Sequence, residues 1–99
     1  MHIIIWEFKV RGEHVADFVA AYNSEGDWAK LFQKAEGYFG TELLRAAEEP
    51  NLFLTVDRWQ SAGCFEMFRE RFGAEYKKLD ARLQGYTSNE RKLGEFTEA

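Results

Sequence analysis

Six aromatic side chains with polar tips, Trp6, Tyr22, Trp28, Trp59, Tyr76 and Tyr86, and one Asp57-Arg58 pair are the residues of this sequence that have chemistry to offer. Each of the six has an apolar body that can hold a planar ligand and an N–H or O–H that can orient its oxygens. For each of them, plain core packing is the alternative. Asp57 and Arg58 are adjacent on a strand and so face opposite ways. One of them points towards the core near the strand end and serves there as a polar anchor, or joins an ion pair at the core edge. Stronger signals are missing. There is no glycine-rich phosphate loop, no His-Glu-x-x-His, no paired cysteines and no readable Ser-His-acid set. The carboxylates of ERFGAEYKKLD alternate with bases and read as a solvated helix face.

The elements that must position these residues centre on Leu52–Leu83. LFLTVDRW is β-branched, aromatic and short, and predicts a strand. Ser61 then caps a helix whose Phe65, Phe68 and Phe72 fall on one face. Tyr76, Leu79 and Leu83 repeat that spacing beyond an expected break at Gly73. HIIIWEFKV, residues 2–10, predicts the first strand, with Ile4, Trp6, Phe8 and Val10 towards the helices and Ile3, Ile5, Glu7 and Lys9 on the other side. Val15, Phe18, Val19 and Tyr22 match a helical stripe within 13–22, with His14 and Asp17 off it. Asp27 is placed to cap a second helical piece carrying Trp28, Leu31, Phe32 and Ala35, which Gly37 ends. Residues 38–47 predict the second strand, and Glu48-Glu49-Pro50-Asn51 a turn into the third. In the tail, Thr87 and Glu90 fit a T-x-x-E capping box, which predicts one helical turn over 88–91. A short strand over 93–97 follows, weakened by Gly94.

The order β, α in two pieces, β, β, α in two pieces, β predicts an α+β, ferredoxin-like split β-α-β fold, with helices on one face of an antiparallel four-stranded sheet. Residues 1–99 make one domain. The uncovered sheet face carries Ile3 and Ile5, and either Leu52, Leu54 and Val56 or Phe53 and Thr55. An apolar face of that extent predicts a homodimer packed sheet to sheet. Where the apolar stripes converge, a pocket is expected between sheet and helices. Trp6 and Phe8 bound it on the first strand, Tyr22, Trp28 and Phe32 close one side, and Phe68 and Tyr76 the other. Arg58 or Trp59 would bind an oxygen of the ligand. Truncating Trp6 or Phe68 is expected to weaken that ligand's binding.

Composition narrows the partners. The formal charge is −4 with acids and bases interspersed, and no basic run exceeds two residues, which argues against nucleic acid. Nine phenylalanines in 99 residues suit a ring-filled core or a cavity for a flat ligand. Cys64, the single cysteine, reads as a small buried hydrophobe rather than a disulfide or metal partner. No stretch has the length of a membrane span, and a cytoplasmic location is the default expectation.

Three stretches, IIIWEFKV, GDWAKLF to GYFGTELLR, and LFLTVDRWQSAGCFEMF with its trailing EYKKLD and ERKLGEF, together make the chain resemble the antibiotic biosynthesis monooxygenase domain family, whose members are dimeric α+β barrels. The resemblance implies one of three outcomes. One branch of the family oxygenates quinols or polyketide anthrones with molecular oxygen and no metal or flavin. Another degrades haem through an asparagine on the first strand and a tryptophan and histidine on the second helix. Many relatives have no known reaction. Here Trp6 stands where that asparagine would be, Phe68 where the tryptophan would be, and Lys77 or Lys78 where the histidine would be. Neither lysine is a normal haem ligand. The implied reading is a monooxygenase (oxidoreductase) acting on a small aromatic or quinol-like substrate without haem, flavin or metal. Its alternative is a non-catalytic dimeric module of the same fold that binds a small hydrophobic ligand or is purely structural, and a general base of suitable pKa inside the pocket would favour the enzyme.

Overall fold

The computed structural model describes residues 1–99. Strand β1 (His2–Val10) leads through a 3₁₀ turn at Gly12–His14 into α1 (Val15–Tyr22) and α2 (Asp27–Phe32). Strands β2 (Tyr38–Arg45) and β3 (Leu52–Trp59) follow, then α3 (Ala62–Arg71), α4 (Gly73–Leu83), a 3₁₀ turn at Gln84–Tyr86, and β4 (Thr87–Thr97). The four strands pair antiparallel in the order β2-β3-β1-β4, so the two central strands are the two most apolar in sequence. That is the split β-α-β topology the element order predicts. None of the helices is long and apolar enough to cross a membrane.

Alternation decides what each strand contributes. On β1, Ile4, Phe8 and Val10 are buried under the helices, and Trp6 is half-buried against them. Register aligns Ile4 with Asp57, Trp6 with Thr55, and Phe8 with Phe53, so Asp57 and Thr55 share the helix-covered face. Leu52, Leu54 and Val56 therefore lie on the opposite face with Ile3 and Ile5, which resolves the alternative that the sequence leaves open.

The helix breaks fall where the chain demands them. Ser61 Oγ accepts from the Cys64 amide at 3.2 Å, the expected N-cap. The helical region splits at Phe72, one residue before the expected break. Gly26, rather than Asp27, takes the cap position of α2, and Asp27 opens the helix and pairs with Arg82. A Cβ at Gly26 would stand 2.5 Å from the Ala21 carbonyl oxygen, so only glycine lets the chain turn this tightly from α1. Gly37 takes φ +86° after α2, and a side chain there would meet Cys64 Sγ at 2.6 Å.

One expectation of element type fails. Residues 88–91 are not a helical turn but part of β4, which runs eleven residues along the free edge of β1. The T-x-x-E pattern offers at most two capping bonds. Pairing with β1 satisfies backbone groups along the whole length of the edge, and tertiary pairing wins over local propensity. Gly94, at φ +158°, accompanies a shift of register between Ile5 and Trp6, so it marks a bulge rather than ending a strand. Strand β2 also stops at Arg45, two residues short of the expected end.

Candidate active site

Between the sheet and the helices lies a cleft walled by Trp6 and Phe8 from β1, Tyr22 from α1, Trp28 and Phe32 from α2, and Tyr76 from α4. All six belong to the pocket expected from the apolar stripes. The rings of Trp28 and Tyr76 stand 5.0 Å apart, those of Phe8 and Tyr22 5.0 Å, and those of Trp28 and Phe32 5.8 Å, so the wall is a continuous aromatic surface. The cleft holds about 60 Å³ reachable by the centre of a water molecule, within about 590 Å³ of empty space that includes its open mouth. One water needs only ~10–15 Å³ of such space, so the rings do not fill the cleft themselves.

Three expected members lie elsewhere. Arg58 faces away from the helices, opposite Ile3, and its guanidinium pairs with Glu42 on the uncovered side of the sheet. Trp59 and Phe68 are 0% and 1% exposed and form a second aromatic cluster behind the cleft. Trp59 packs at 5.5 Å against Phe32 and Phe68, and at 5.4 Å against Phe65. Both anchor the wall from behind and have no access to a ligand.

In their place the cleft has residues that the aromatic stripes do not announce. Ile4, Thr41, Thr55, Asp57, Phe65, Asp80 and Glu90 complete its lining. The signal for Asp57 is present in the sequence. Phe53 and Trp59 are the largest apolar residues of β3, they share parity with Thr55 and Asp57, and a strand turns its largest apolar side chains to the core. For Glu90 the capping-box pattern obscures the signal.

Asp57 is the chemical centre. Burial pushes its carboxyl up from an ordinary value of 3.8 to about 6, and a hydrogen bond from Thr41 partly offsets that rise. Thr41 Oγ1 donates to Asp57 Oδ1 at 2.6 Å, and Tyr38 Oη lies 2.6 Å from Thr41 Oγ1. Threonine has a single hydroxyl proton, so Tyr38 is the donor to Thr41 while Asp57 is ionised. The result is a chain of hydroxyls from half-buried Tyr38 through Thr41 to the carboxylate. Asp57 makes no ion pair.

Other polar groups in the wall are tuned the same way. Burial raises the hydroxyls of Tyr22 and Tyr76, which keeps both as neutral donors at physiological pH. The Trp28 indole offsets part of the rise at Tyr22, though it meets that hydroxyl outside hydrogen-bonding geometry. Its N–H is left without a partner although the residue is only 8% exposed. Burial, with a contribution from Asp80, also raises Glu90. The arrangement can grip a flat ring, take a proton at Asp57, and donate hydrogen bonds to an oxygen. No three His, Cys, Asp or Glu side chains converge as a metal-binding group.

The family model described as antibiotic biosynthesis monooxygenase matches residues 1–82. Among solved structures, a mutant of SnoaB, a cofactor-independent oxygenase from Streptomyces nogalater, aligns with a TM-score of 0.80 at 20% identity, over 98% of this chain and 91% of that one. A candidate antibiotic biosynthesis monooxygenase from Deinococcus radiodurans aligns at 0.78 and 14% identity, covering 100% and 93% of the two chains. Another from Nitrosomonas europaea aligns at 0.73 and 14% identity, covering 99% and 98%. At these identities the likeness establishes the fold. No curated protein matches the chain by sequence.

Proposed function

The chain belongs to the antibiotic biosynthesis monooxygenase family, and from that premise we propose that it is a cofactor-independent oxygenase of a small aromatic substrate, with Asp57 as the base that starts the reaction. The observation that carries this reading is a half-buried carboxylate, held by Thr41 and without an ion pair, that lines an unfilled aromatic cleft; partial burial pushes its pKa up to about 6. A general base works best with a pKa near the working pH. A merely structural module has no use for a half-buried carboxylate without an ion pair, which costs stability whenever it is ionised.

Oxygenation without metal or flavin needs the substrate to supply every electron. The phenolic proton passes to Asp57, and the phenolate then gives one electron to O₂. The aryloxyl radical and superoxide join through a new C–O bond at an activated ring carbon, and the peroxide takes a proton back from Asp57. Loss of that carbon's own proton breaks the O–O bond and forms a second carbonyl. The hydroxide released combines with the proton. One phenol and one O₂ give one quinone and one water, a four-electron oxidation of the substrate.

Magnitudes identify the limiting demand. Moving a proton from an ordinary phenol of pKa about 10 to a carboxylate of about 6 is uphill by ~5 kcal/mol. At the carboxylate's ordinary value of 3.8 the same step would cost ~8 kcal/mol. Partial burial of Asp57 therefore lowers the cost by ~3 kcal/mol, and the neutral hydroxyls of Tyr22 and Tyr76 in the cleft wall are donors that can stabilise the oxyanion. Thr41 holds the Asp57 carboxylate in place between these two proton transfers, and Asp57 ends the cycle ionised as it began.

The homodimer belongs to the same reading. The uncovered sheet face carries Ile3, Ile5, Leu44, Leu54, Val56 and Phe96, flanked by the Glu42–Arg58 and Glu7–Arg91 pairs. Phe96 and Leu44 are each 47% exposed in the single chain. A second copy covers this face in solution, and sedimentation at micromolar concentration should give twice the 11.6 kDa chain mass. A monomer there removes the dimer from the account.

The function itself is tested with hydroquinones and naphthols. At least one should quench the tryptophan fluorescence, raise the melting temperature and drive oxygen uptake by protein stripped of metal. If none does any of these, the non-catalytic alternative replaces the enzyme.

A further inference from the structure

Two threonines line the cleft beside Asp57, and only one of them is engaged. Thr41 and Thr55 are 6% and 5% exposed. The Thr41 hydroxyl meets both Tyr38 Oη and Asp57 Oδ1 at 2.6 Å. The Thr55 side chain makes no hydrogen bond. Its cross-strand neighbours have no acceptor to offer. Thr55 stands between Trp6 of β1 and Leu43 of β2, and an indole has only a donor and leucine neither. The unpartnered indole nitrogens of Trp28 and Trp59 are sealed in the packing, whereas the Thr55 hydroxyl belongs to the cleft lining.

The strand alone does not explain a hydroxyl in that position. Valine has the same shape and the same preference for strands, and it leaves no polar atom unmet. Buried hydroxyls are hydrogen-bonded in folded proteins with few exceptions. The acceptor that Thr55 lacks within the protein is one that a ligand in the cleft supplies.

Spacing identifies the ligand atom. Thr55 and Asp57 are alternate residues on the helix-covered face of β3, roughly 7 Å apart along the strand. Two O–H···O bonds of roughly 2.7 Å, one on each side of a shared oxygen, span most of that distance. Thr41 holds Oδ1 of Asp57, and Oδ2 makes no hydrogen bond within the protein. A ligand oxygen between the two side chains therefore gives a proton to Asp57 and accepts one from Thr55. A hydroxyl does both, and an ether or ketone oxygen has no proton for an ionised carboxylate. Tyr22 and Tyr76 donate from the helix side of the cleft, and Thr55 donates from the sheet, beside the base.

We propose that the Thr55 hydroxyl is the second protein group at the reacting oxygen. It donates to the substrate's phenolic oxygen while Asp57 removes the proton, and the bond strengthens as that oxygen becomes an anion. Together the two side chains select aryl hydroxyls over aryl ethers and ketones. The inference rests on the cleft being the substrate site and on Asp57 being its base.

Thr55→Val and Thr55→Ser test it, with 1-naphthol and 1-methoxynaphthalene as probes. In calorimetry the wild type should bind 1-naphthol at least ~10-fold tighter than the ether, Thr55→Val should weaken 1-naphthol about 5-fold, and Thr55→Ser should restore it. In oxygen uptake, Thr55→Val should lower kcat by ~10–10³-fold and change KM far less, because the bond to the anion is the stronger one. The valine variant should melt at or above the wild-type temperature, since it loses no internal hydrogen bond. A valine variant that melts well below the wild type, or does not fold, overturns the inference, because the hydroxyl then serves the fold. Unchanged affinity and kcat in Thr55→Val, equal binding of the two probes, or a serine variant no better than valine also overturns it, and each leaves Asp57 as the base. Where 1-naphthol binds without oxygen uptake, the affinity comparison decides alone. If the wild type binds neither 1-naphthol nor hydroquinone, the cleft reading falls and this inference with it.

Discussion

Asp57→Asn lowers the rate of oxygen uptake by ~10²–10⁴-fold and raises the melting temperature at pH 7. Losing a general base typically costs ~10²–10⁴-fold in rate, and asparagine cannot accept the substrate proton. It can still accept the Thr41 hydrogen bond, so the local geometry survives. The stability change follows from linkage. The folded-state carboxyl titrates near 6 and the unfolded one near 3.8, so the protonated group favours the fold. That contribution is fully present below pH 3.8 and is lost as pH rises through about 6. Above pH 6 the ionised group costs the wild type up to ~3 kcal/mol, which the neutral amide does not incur. For a domain of this size that corresponds to a gain on the order of 10 °C. The two proteins should melt together at pH 3.5 and diverge between pH 4 and 6. A variant that is less stable at pH 7, or one that keeps its oxygen uptake, contradicts this role for Asp57.

Phe68→Ala and Trp6→Ala separate the two aromatic clusters. Phe68 is 1% exposed, packs 5.1 Å from Phe32 and 5.5 Å from Trp59, and does not line the cleft. Its truncation should cost ~3–5 kcal/mol. Against a total stability of ~5–15 kcal/mol for a domain this is a large share, and a fall of well over 10 °C in melting temperature is expected. Trp6 is half-buried and stacks 6.3 Å from Phe8 within the cleft wall. Its truncation should leave a folded protein that binds phenols at least ~10-fold more weakly, because ring stacking and buried area are lost together. Paired melts and titrations check both. Equal losses of stability, or unimpaired binding by Trp6→Ala, would mean that the cleft and the core are one undifferentiated cluster.

How much of this was legible in the sequence depends on which physical signal each residue obeys. Residues 2–10 and 52–59 show strand periodicity with no competing pattern, and both strands have the expected bounds. The Ser61 cap and the break near Gly73 follow from local chemistry that needs no tertiary information. Residues 88–91 carried a helical cap signal that the free edge of β1 overrode, and no local rule reveals that an edge is vacant. At the site, the stripe residues Trp6, Phe8, Tyr22, Trp28, Phe32 and Tyr76 converge because helices and strands bury their apolar sides together. That same logic placed Phe68 and Trp59 with them, since apolarity does not distinguish a cavity wall from the packing behind it. The residue with the most chemistry, Asp57, was legible only as one of an adjacent pair. Strand parity, fixed by Phe53 and Trp59, turns it inward and sends Arg58 out to Glu42.

The central claim is that the half-buried Asp57 carboxylate starts oxygenation in the cleft, and the pH dependence of kcat/KM for oxygen uptake, measured on metal-stripped protein with its best phenolic substrate, tests it most directly. The account predicts a rate that rises with pH along a single limb of midpoint about 6, the ionisation of Asp57 in the free protein. The limb should be absent from the residual activity of Asp57→Asn. A flat profile between pH 4.5 and 8, or the same limb persisting in Asp57→Asn, would contradict it.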